Sequence, residues 1–208
     1  MNILVTGGAG YIGSVVCELL QEIVDRIIVI DDLRDGNRLA VSEEVVFCKG
    51  NFGNPKLLSE IFSKYQIDIV LHLAASANVP DSAANPIDYY ENNISNTITL
   101  LKVMKEFGVK KIVFSSSAAV YGEPQYTPID EGHLPKPVNP YGYSKLVIEN
   151  ILKDCANAYG LKYIIFRHFC VAGATEFCGE SRKKETHLIP RIIDNFLGAN
   201  NKVIVFDN

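Results

Sequence analysis

Short apolar runs alternate along the chain with longer segments whose apolar residues recur at helical spacing. Asn2–Thr6, Ile27–Asp31, Val45–Cys48, Ile67–His72, Lys111–Ser115 and Lys162–Arg167 read as buried strands, because apolar residues there occupy consecutive positions. Between them, Tyr11–Ile23, Lys56–Tyr65, Pro86–Phe107 and Tyr141–Tyr159 read as helices. A further helix is expected near Leu188–Leu197 and a strand near Val203–Phe206. Gly108, Gly160 and Gly198 fall just past helix ends, where a left-handed residue closes the final turn. Strands apolar on both faces and separated by helices predict an α/β fold. The expected architecture is a doubly wound parallel sheet with helices on each side.

Two segments lack either period. Gly122–Asn139, "GEPQYTPIDEGHLPKPVN", holds four prolines and reads as a surface loop leading into the helix at Tyr141. So long an irregular stretch inside a compact domain is more often functional than idle. Gly173–Glu185 is the second such segment.

At 208 residues, 48% hydrophobic and 21% charged, the chain suits one globular domain with a sizeable core, or one domain plus a fragment of a second. A net charge of −4 argues against nucleic acid or an anionic membrane as partner. The densest basic run, Arg182-Lys183-Lys184, sits among Glu180 and Glu185 and reads as a solvated loop. The five cysteines form no C-x-x-C pair and no zinc-ligand spacing, so no metal is expected. With no signal-like N-terminus and no run of about 18 apolar residues, a cytoplasmic, reduced protein without a membrane span is expected.

"TGGAGYIG", residues 6–13, follows the first strand and opens the first helix. Gly8, Gly10 and Gly13 satisfy G-x-G-x-x-G, while Gly7, Gly10 and Gly13 give a second regular spacing. Such glycines let backbone N–H groups approach a pyrophosphate at a helix N-terminus. The spacing alone also fits an ordinary tight turn; its place inside a strand–helix–strand unit points to a Rossmann-type dinucleotide site. Asp31 ends the second strand 18 residues after Gly13, where a carboxylate accepts hydrogen bonds from the adenosine ribose. That carboxylate would repel a 2′-phosphate and favours NAD, although Arg34 or Arg38 could reach one, which leaves NADP as the alternative. "HLAAS", residues 72–76, ends the fourth strand with small residues against which a cofactor, or simply a closely packed helix, could lie.

"NPYGYSK", residues 139–145, offers two tyrosines to one lysine. On a helix Tyr141 and Lys145 are four apart, neighbours with Cβ atoms about 5–6 Å apart. Tyr143, two residues from Lys145, points to the opposite side. Tyr141 is therefore the candidate base. A phenol of pKa near 10 needs help at neutral pH, and a lysine ammonium beside a nicotinamide cation would favour the phenolate. Ser117 lies just past the fifth strand, at the same sheet edge as the glycine turn, where its hydroxyl could orient a substrate alcohol or relay its proton.

These residues resemble the extended short-chain dehydrogenase/reductases and, within them, the UDP-glucose 4-epimerases. The resemblance rests on "TGGAGYIG", "DDL", "HLAA", "YYENN", "FSSSAAVYGE", "YGYSK" and "VAGA…ETHLIP", and covers essentially the whole chain. It implies an NAD-binding Rossmann domain over residues 1–170, with 171–208 a partial substrate-domain segment and last sheet strand. It implies Tyr141 as base, Lys145 as ribose ligand and tuner of Tyr141, and Ser117 as substrate ligand. NAD would touch Gly7, Gly10, Tyr11, Ile12, Gly13, Asp31, Asp32, Asn51, Phe52, Leu73, Ala74, Ala75, Asn92 and Phe169. A UDP-hexose would meet Ser117, Tyr141, Cys170, His187 and Leu188. Epimerisation through a transient 4-keto sugar follows, with a possible homodimer through the two helices Pro86–Phe107 and Tyr141–Tyr159. Ala118 and Ala119 stand where 4,6-dehydratase relatives carry an Asp-Glu pair, which counts against dehydration.

Three departures matter. Asn51 replaces the usual aspartate at the adenine, an exchange an amide tolerates. Cys170 replaces the asparagine of "RYFN" and can neither donate nor accept a strong hydrogen bond. Family members continue well past this chain's end, so the resemblance implies a C-terminally truncated copy. The alternative is a catalytically silent NAD(H)-binding module on the same fold.

Overall fold

The computed structural model describes residues 1–180 and 187–198. Six strands form one sheet: β1 (Asn2–Thr6), β2 (Arg26–Asp31), β3 (Val46–Lys49), β4 (Ile69–His72), β5 (Lys111–Ser117) and β6 (Lys162–His168). Their order is β3-β2-β1-β4-β5-β6 and every neighbouring pair is parallel. Parallel neighbours need crossovers, and most are helical. The helices are α1 (Tyr11–Leu20), α2 (Pro55–Tyr65), α3 (Val79–Ala84), α4 (Pro86–Tyr90), α5 (Asn96–Glu106), α6 (Pro140–Tyr159) and α7 (Leu188–Phe196).

The strands alternate their side chains between two cores. Leu4, Ile28, Ile30, Val70, Ile112 and Phe114 meet Leu58 and Phe62 of α2, Leu100 and Met104 of α5, and Ile148 and Leu152 of α6. Ile3, Val5, Ile27 and Val29 meet Cys17 of α1 with Val41 and Val45 on the other face. Chain order reverses between β1 and β4, and the crevice outside the carboxyl ends of those strands is where such sheets take ligands.

Local chemistry explains the element ends. Asn54 and Asn139 cap α2 and α6 by accepting first-turn N–H groups, each followed by a proline that suits the first helical position. Gly108, Gly160 and Gly198 all take positive φ just beyond α5, α6 and α7.

The expected strands are present within a residue or two, with β5 and β6 running on to Ser117 and His168. The first helix stops at Leu20 rather than Ile23, because Gln21–Ile23 tighten into a turn in which the Ile23 N–H reaches Leu20. The single helix expected over Pro86–Phe107 is instead three pieces, α4, a π-helical turn at Glu91–Ser95, and α5. α3, unforeseen, is capped by Asn78 with Pro80 in its first turn.

β6 departs most from its reading as a buried strand. Ile164 and Phe166 are 55% and 51% exposed, since no described element covers that half of the second face. No residue of α7 is buried. The expected strand at Val203–Phe206 and the Arg182-Lys183-Lys184 run lie outside the described residues.

Candidate functional site

The glycine turn is built by close approach. Gly7 has φ +74°, and a Cβ there would sit 2.7 Å from the Ala74 nitrogen. A Cβ on Gly13 would sit 2.2 Å from the Gly7 carbonyl oxygen, backbone that cannot step aside. Gly8 instead packs on the Val29 side chain, so of the two glycine spacings it is Gly7, Gly10 and Gly13 that shape the turn. Gly10 precedes α1 in extended conformation, and no side chain caps the helix and no acid sits in its first turn. The N-terminal N–H groups of α1 thus face the crevice with the positive end of the helix dipole unneutralised.

Asp31 closes the turn from the β2 side. Its Oδ2 accepts the Ala9 N–H at 3.0 Å and its Oδ1 the Leu33 N–H at 2.8 Å. Burial, stronger than these two opposing donors, holds its carboxyl above the ordinary carboxylate range, with Asp32 and Asp35 adding to the rise. Both nearby arginines are paired, although Arg34 itself lines the pocket beside Asp31. Arg34 pairs with Asp32 at 3.0 Å, and Arg38 donates to the Val41 carbonyl at 2.7 Å while lying over the Phe47 ring.

A pocket lined by Gly7, Gly10, Asp31, Asp32, Asn51, Phe52, Leu73, Ala74, Ala75 and Asn92 occupies this end. Asn51 is ordered by its neighbours: its Oδ1 accepts from Gly53 N–H at 2.7 Å and from the Asn96 amide at 3.1 Å. The π turn widens the helix by one residue so that two successive asparagines face inward. Asn92 donates to Ser76 Oγ at 3.1 Å, and the Asn93 amide is buried against the Ser76 backbone and Ser144 Oγ.

From the glycine turn a cleft of about 610 Å³ runs on to Ser115, Tyr141 and Lys145, with Tyr11, Ile12 and Gly13 along its wall. Tyr11 donates its hydroxyl to the Gly173 carbonyl at 2.5 Å, which brings the second irregular segment to the cleft. Tyr141 is half-buried and Tyr143 exposed, as their spacing on a helix requires. Lys145 is buried; its Nζ donates to the Ser115 carbonyl at 2.7 Å and stands 5.7 Å from the centre of the Tyr141 ring. Burial drives its pKa down to about 7, with the Glu149 carboxylate pulling the other way.

The third member of that helix face was not singled out from sequence. Glu149, four residues past Lys145, accepts Arg167 Nε at 3.1 Å and Nη2 at 2.7 Å, and Ser116 Oγ at 2.5 Å. The signal was present as the continuing four-residue spacing Tyr141, Lys145, Glu149. Consecutive serines at the end of β5 therefore divide their work between Lys145 and Glu149. Ser117 accepts the Ala119 N–H and caps a short 3₁₀ turn; of these three serines Ser115 lines the cleft.

The remaining predicted contacts stand apart. Phe169 and Cys170 follow the end of β6 and are exposed, and neither lines this cleft. His187 pairs with Glu180 at 2.7 Å, and Leu188, more than half exposed, opens α7. Among the described residues no cluster of three or more potential ligands is placed to hold a metal ion, and no helix is long and apolar enough to cross a membrane.

The family model described as NAD dependent epimerase/dehydratase family matches residues 3–208. The UDP-glucose 4-epimerase of Halalkalibacterium halodurans is 48% identical over 208 residues, covering 99% of this chain and 62% of its own length. A crystal structure of a UDP-glucose 4-epimerase superimposes with a TM-score of 0.95 at 40% identity, over 98% of this chain and 62% of the other. The Brucella ovis UDP-glucose 4-epimerase in complex with NAD gives a TM-score of 0.88 at 42% identity, over 91% and 59%. The chain thus spans about 60–63% of the length of curated relatives it matches.

Proposed function

The chain belongs to the NAD dependent epimerase/dehydratase family, and from that premise we propose that it carries the NAD-holding and proton-transferring part of a nucleotide-sugar 4-epimerase. The substrate in this reading is a UDP-hexose of the UDP-glucose/UDP-galactose type. The observation that carries it is the single cleft joining the uncapped glycine turn to Tyr141 and Lys145.

The residues present fit NAD. The α1 N-terminus would take the pyrophosphate, Asp31 the adenosine ribose hydroxyls, and Asn51 and Phe52 the adenine. Arg38 is engaged with the Val41 carbonyl, and Arg34, which lines the pocket, is held by Asp32, so the Asp31 and Asp32 carboxylates favour NAD over a 2′-phosphate. Bound there, NAD supplies the hydride acceptor for the sugar carbon. Tyr141 takes the proton of the C4 hydroxyl and returns it after the 4-keto sugar has presented its other face. The Lys145 ammonium favours the phenolate electrostatically, and Ser117, two residues past the cleft-lining Ser115 and accepting the Ala119 N–H, would turn its hydroxyl proton to the sugar hydroxyl. Cys170, at the end of the dinucleotide domain, and His187 and Leu188, within residues 171–208 read as the beginning of the substrate domain, would reach the nucleotide sugar.

Exposed Ile87, Tyr90, Tyr143 and Val147 on α4 and α6 support a homodimer through these helices. Five free thiols suit a reducing, cytoplasmic setting.

The test is conversion of UDP-galactose to UDP-glucose by the purified chain. Tyr141→Phe should abolish conversion and leave NAD bound. NAD binding without any conversion by the unaltered chain would instead support the silent dinucleotide-binding module.

A further inference from the structure

His72 is 1% exposed at the end of β4 and lies outside the proposed chemistry. Its ring is wedged between Phe52, edge-on at 5.1 Å, and Phe114, stacked at 5.6 Å. Its hydrogen bonds admit only one arrangement of protons. The Asn93 carbonyl can only accept, so Thr97, 2.5 Å away, must spend its single hydroxyl proton there. Thr97 Oγ1 is then an acceptor toward His72 Nε2 at 2.8 Å, which places the ring proton on Nε2. Burial first, and the Lys145 ammonium second, press the imidazole pKa down to about 3, so the ring is neutral and Nδ1 is bare. Nδ1 accepts from Thr6 Oγ1 at 2.7 Å, and Thr6 Oγ1 in turn accepts the Ala74 N–H at 3.2 Å. The result is one directed chain from Ala74 through Thr6, His72 and Thr97 to Asn93, with each proton used once.

One end of that chain, Ala74, lines the pocket, and the other, Asn93, connects to the helix of Tyr141. Thr6 directly precedes Gly7, whose φ of +74° brings it against the Ala74 backbone. Leu73, Ala74 and Ala75 line the adjoining pocket, as does Phe52, the ring packed on His72. The Asn93 amide donates to Ser144 Oγ at 3.1 Å, and Ser144 donates to the Tyr141 carbonyl at 2.7 Å. We infer that His72 is a positioning residue: fixed as the Nε2–H tautomer, it registers the glycine turn, the Leu73–Ala75 floor and the helix of Tyr141 against one another for the dinucleotide. The inference rests on the NAD reading above and adds to it a residue that touches neither cofactor nor substrate.

Two measurements on the full chain test it. In 15N-histidine-labelled protein without added ligand, the His72 imidazole should show the Nε2–H tautomer and keep it as pH falls through the ordinary histidine range. An Nδ1–H tautomer, or an imidazolium near neutral pH, overturns the inference. In NAD titrations, Thr97→Val, nearly isosteric but unable to accept Nε2–H, should weaken binding about tenfold, with Thr97→Ser restoring it to within about threefold. His72→Leu should weaken binding at least as much as Thr97→Val in protein whose circular dichroism is unchanged. Thr97→Val that binds NAD like the parent, or Thr97→Ser that fails to rescue, overturns the positioning role alone. If the unaltered chain binds no NAD, the cofactor reading falls and the role of His72 toward it falls too, while the tautomer measurement still decides whether the chain of protons exists.

Discussion

Lys145 is the residue whose placement asks most of the fold. Its Nζ has one backbone partner, the Ser115 carbonyl, and aromatic faces at Phe114 and Tyr141, so the interior replaces its hydration poorly. A folded-state pKa of about 7 against an ordinary 10.5 fixes the sign of the consequence. Between those values the unfolded chain holds a proton that the folded chain has released, so stability rises with pH across the window and the penalty is complete below it. Lys145→Met keeps most of the stem and removes the charge. It should stabilise the protein by on the order of a few kcal/mol at the low end of the window and flatten the rise, read as urea midpoints at successive pH values. Parallel slopes for both proteins would show that this lysine is not the source. The pair Tyr141 and Lys145 was legible from sequence because four-residue spacing on a helix is a local rule. Glu149 shares that spacing, but its pairing with Arg167 and the contacts of His72 were not legible: those partners are 18 or more residues away in sequence, and only the fold brings them together.

At the scale of elements, the two kinds of glycine in this chain separate conformational need from spatial need. Gly108 has φ +73° but open space around its missing Cβ, so Gly108→Ala meets only left-handed strain and should cost about 1 kcal/mol. Gly13 has an ordinary helical position, yet its Cβ would collide with the Gly7 carbonyl at 2.2 Å. Gly13→Ala must push α1 off the β1 turn, costing several kcal/mol and abolishing dinucleotide binding. Thermal melts together with NAD titration distinguish the two; equal effects would mean the turn can relax. Strand identity could be read from apolar runs because β1 and β2 are buried on both faces, and β4 and β5 are buried on one face and partly covered on the other. The break at Glu91–Ser95 could not, since a π turn leaves apolar spacing nearly helical while rotating Asn92 and Asn93 inward. α3 carried a readable signal in Asn78 and Pro80, obscured by a run of small residues with little period. β6 misled for a different reason: its apolar residues imply a cover that none of the described elements provides.

Across the whole molecule, the carboxyl edge of the sheet gathers the site, and the Glu149–Arg167 pair ties its last strand to it. Arg167 stands on β6, at the sheet's outer position in the strand order, and reaches Glu149 on α6 with both Nε and Nη2. Its guanidinium also covers the Tyr121 ring at 4.8 Å, and its hydrogen bonds to the Glu149 carboxylate raise its pKa further, so the guanidinium stays charged. Glu149 is almost fully buried, and its three donors answer the desolvation that burial imposes. Removing one partner should therefore hurt more than removing both. Arg167→Met leaves a buried carboxylate with only Ser116 and should destabilise by about 3–5 kcal/mol. Adding Glu149→Leu removes the orphaned charge and should recover most of that loss, leaving a coupling of about 2 kcal/mol or more in a double-mutant cycle. Urea unfolding of the four proteins measures it. Simple additivity would mean that water reaches Glu149 and that β6 is held to α6 by the apolar contacts of Ile165 alone.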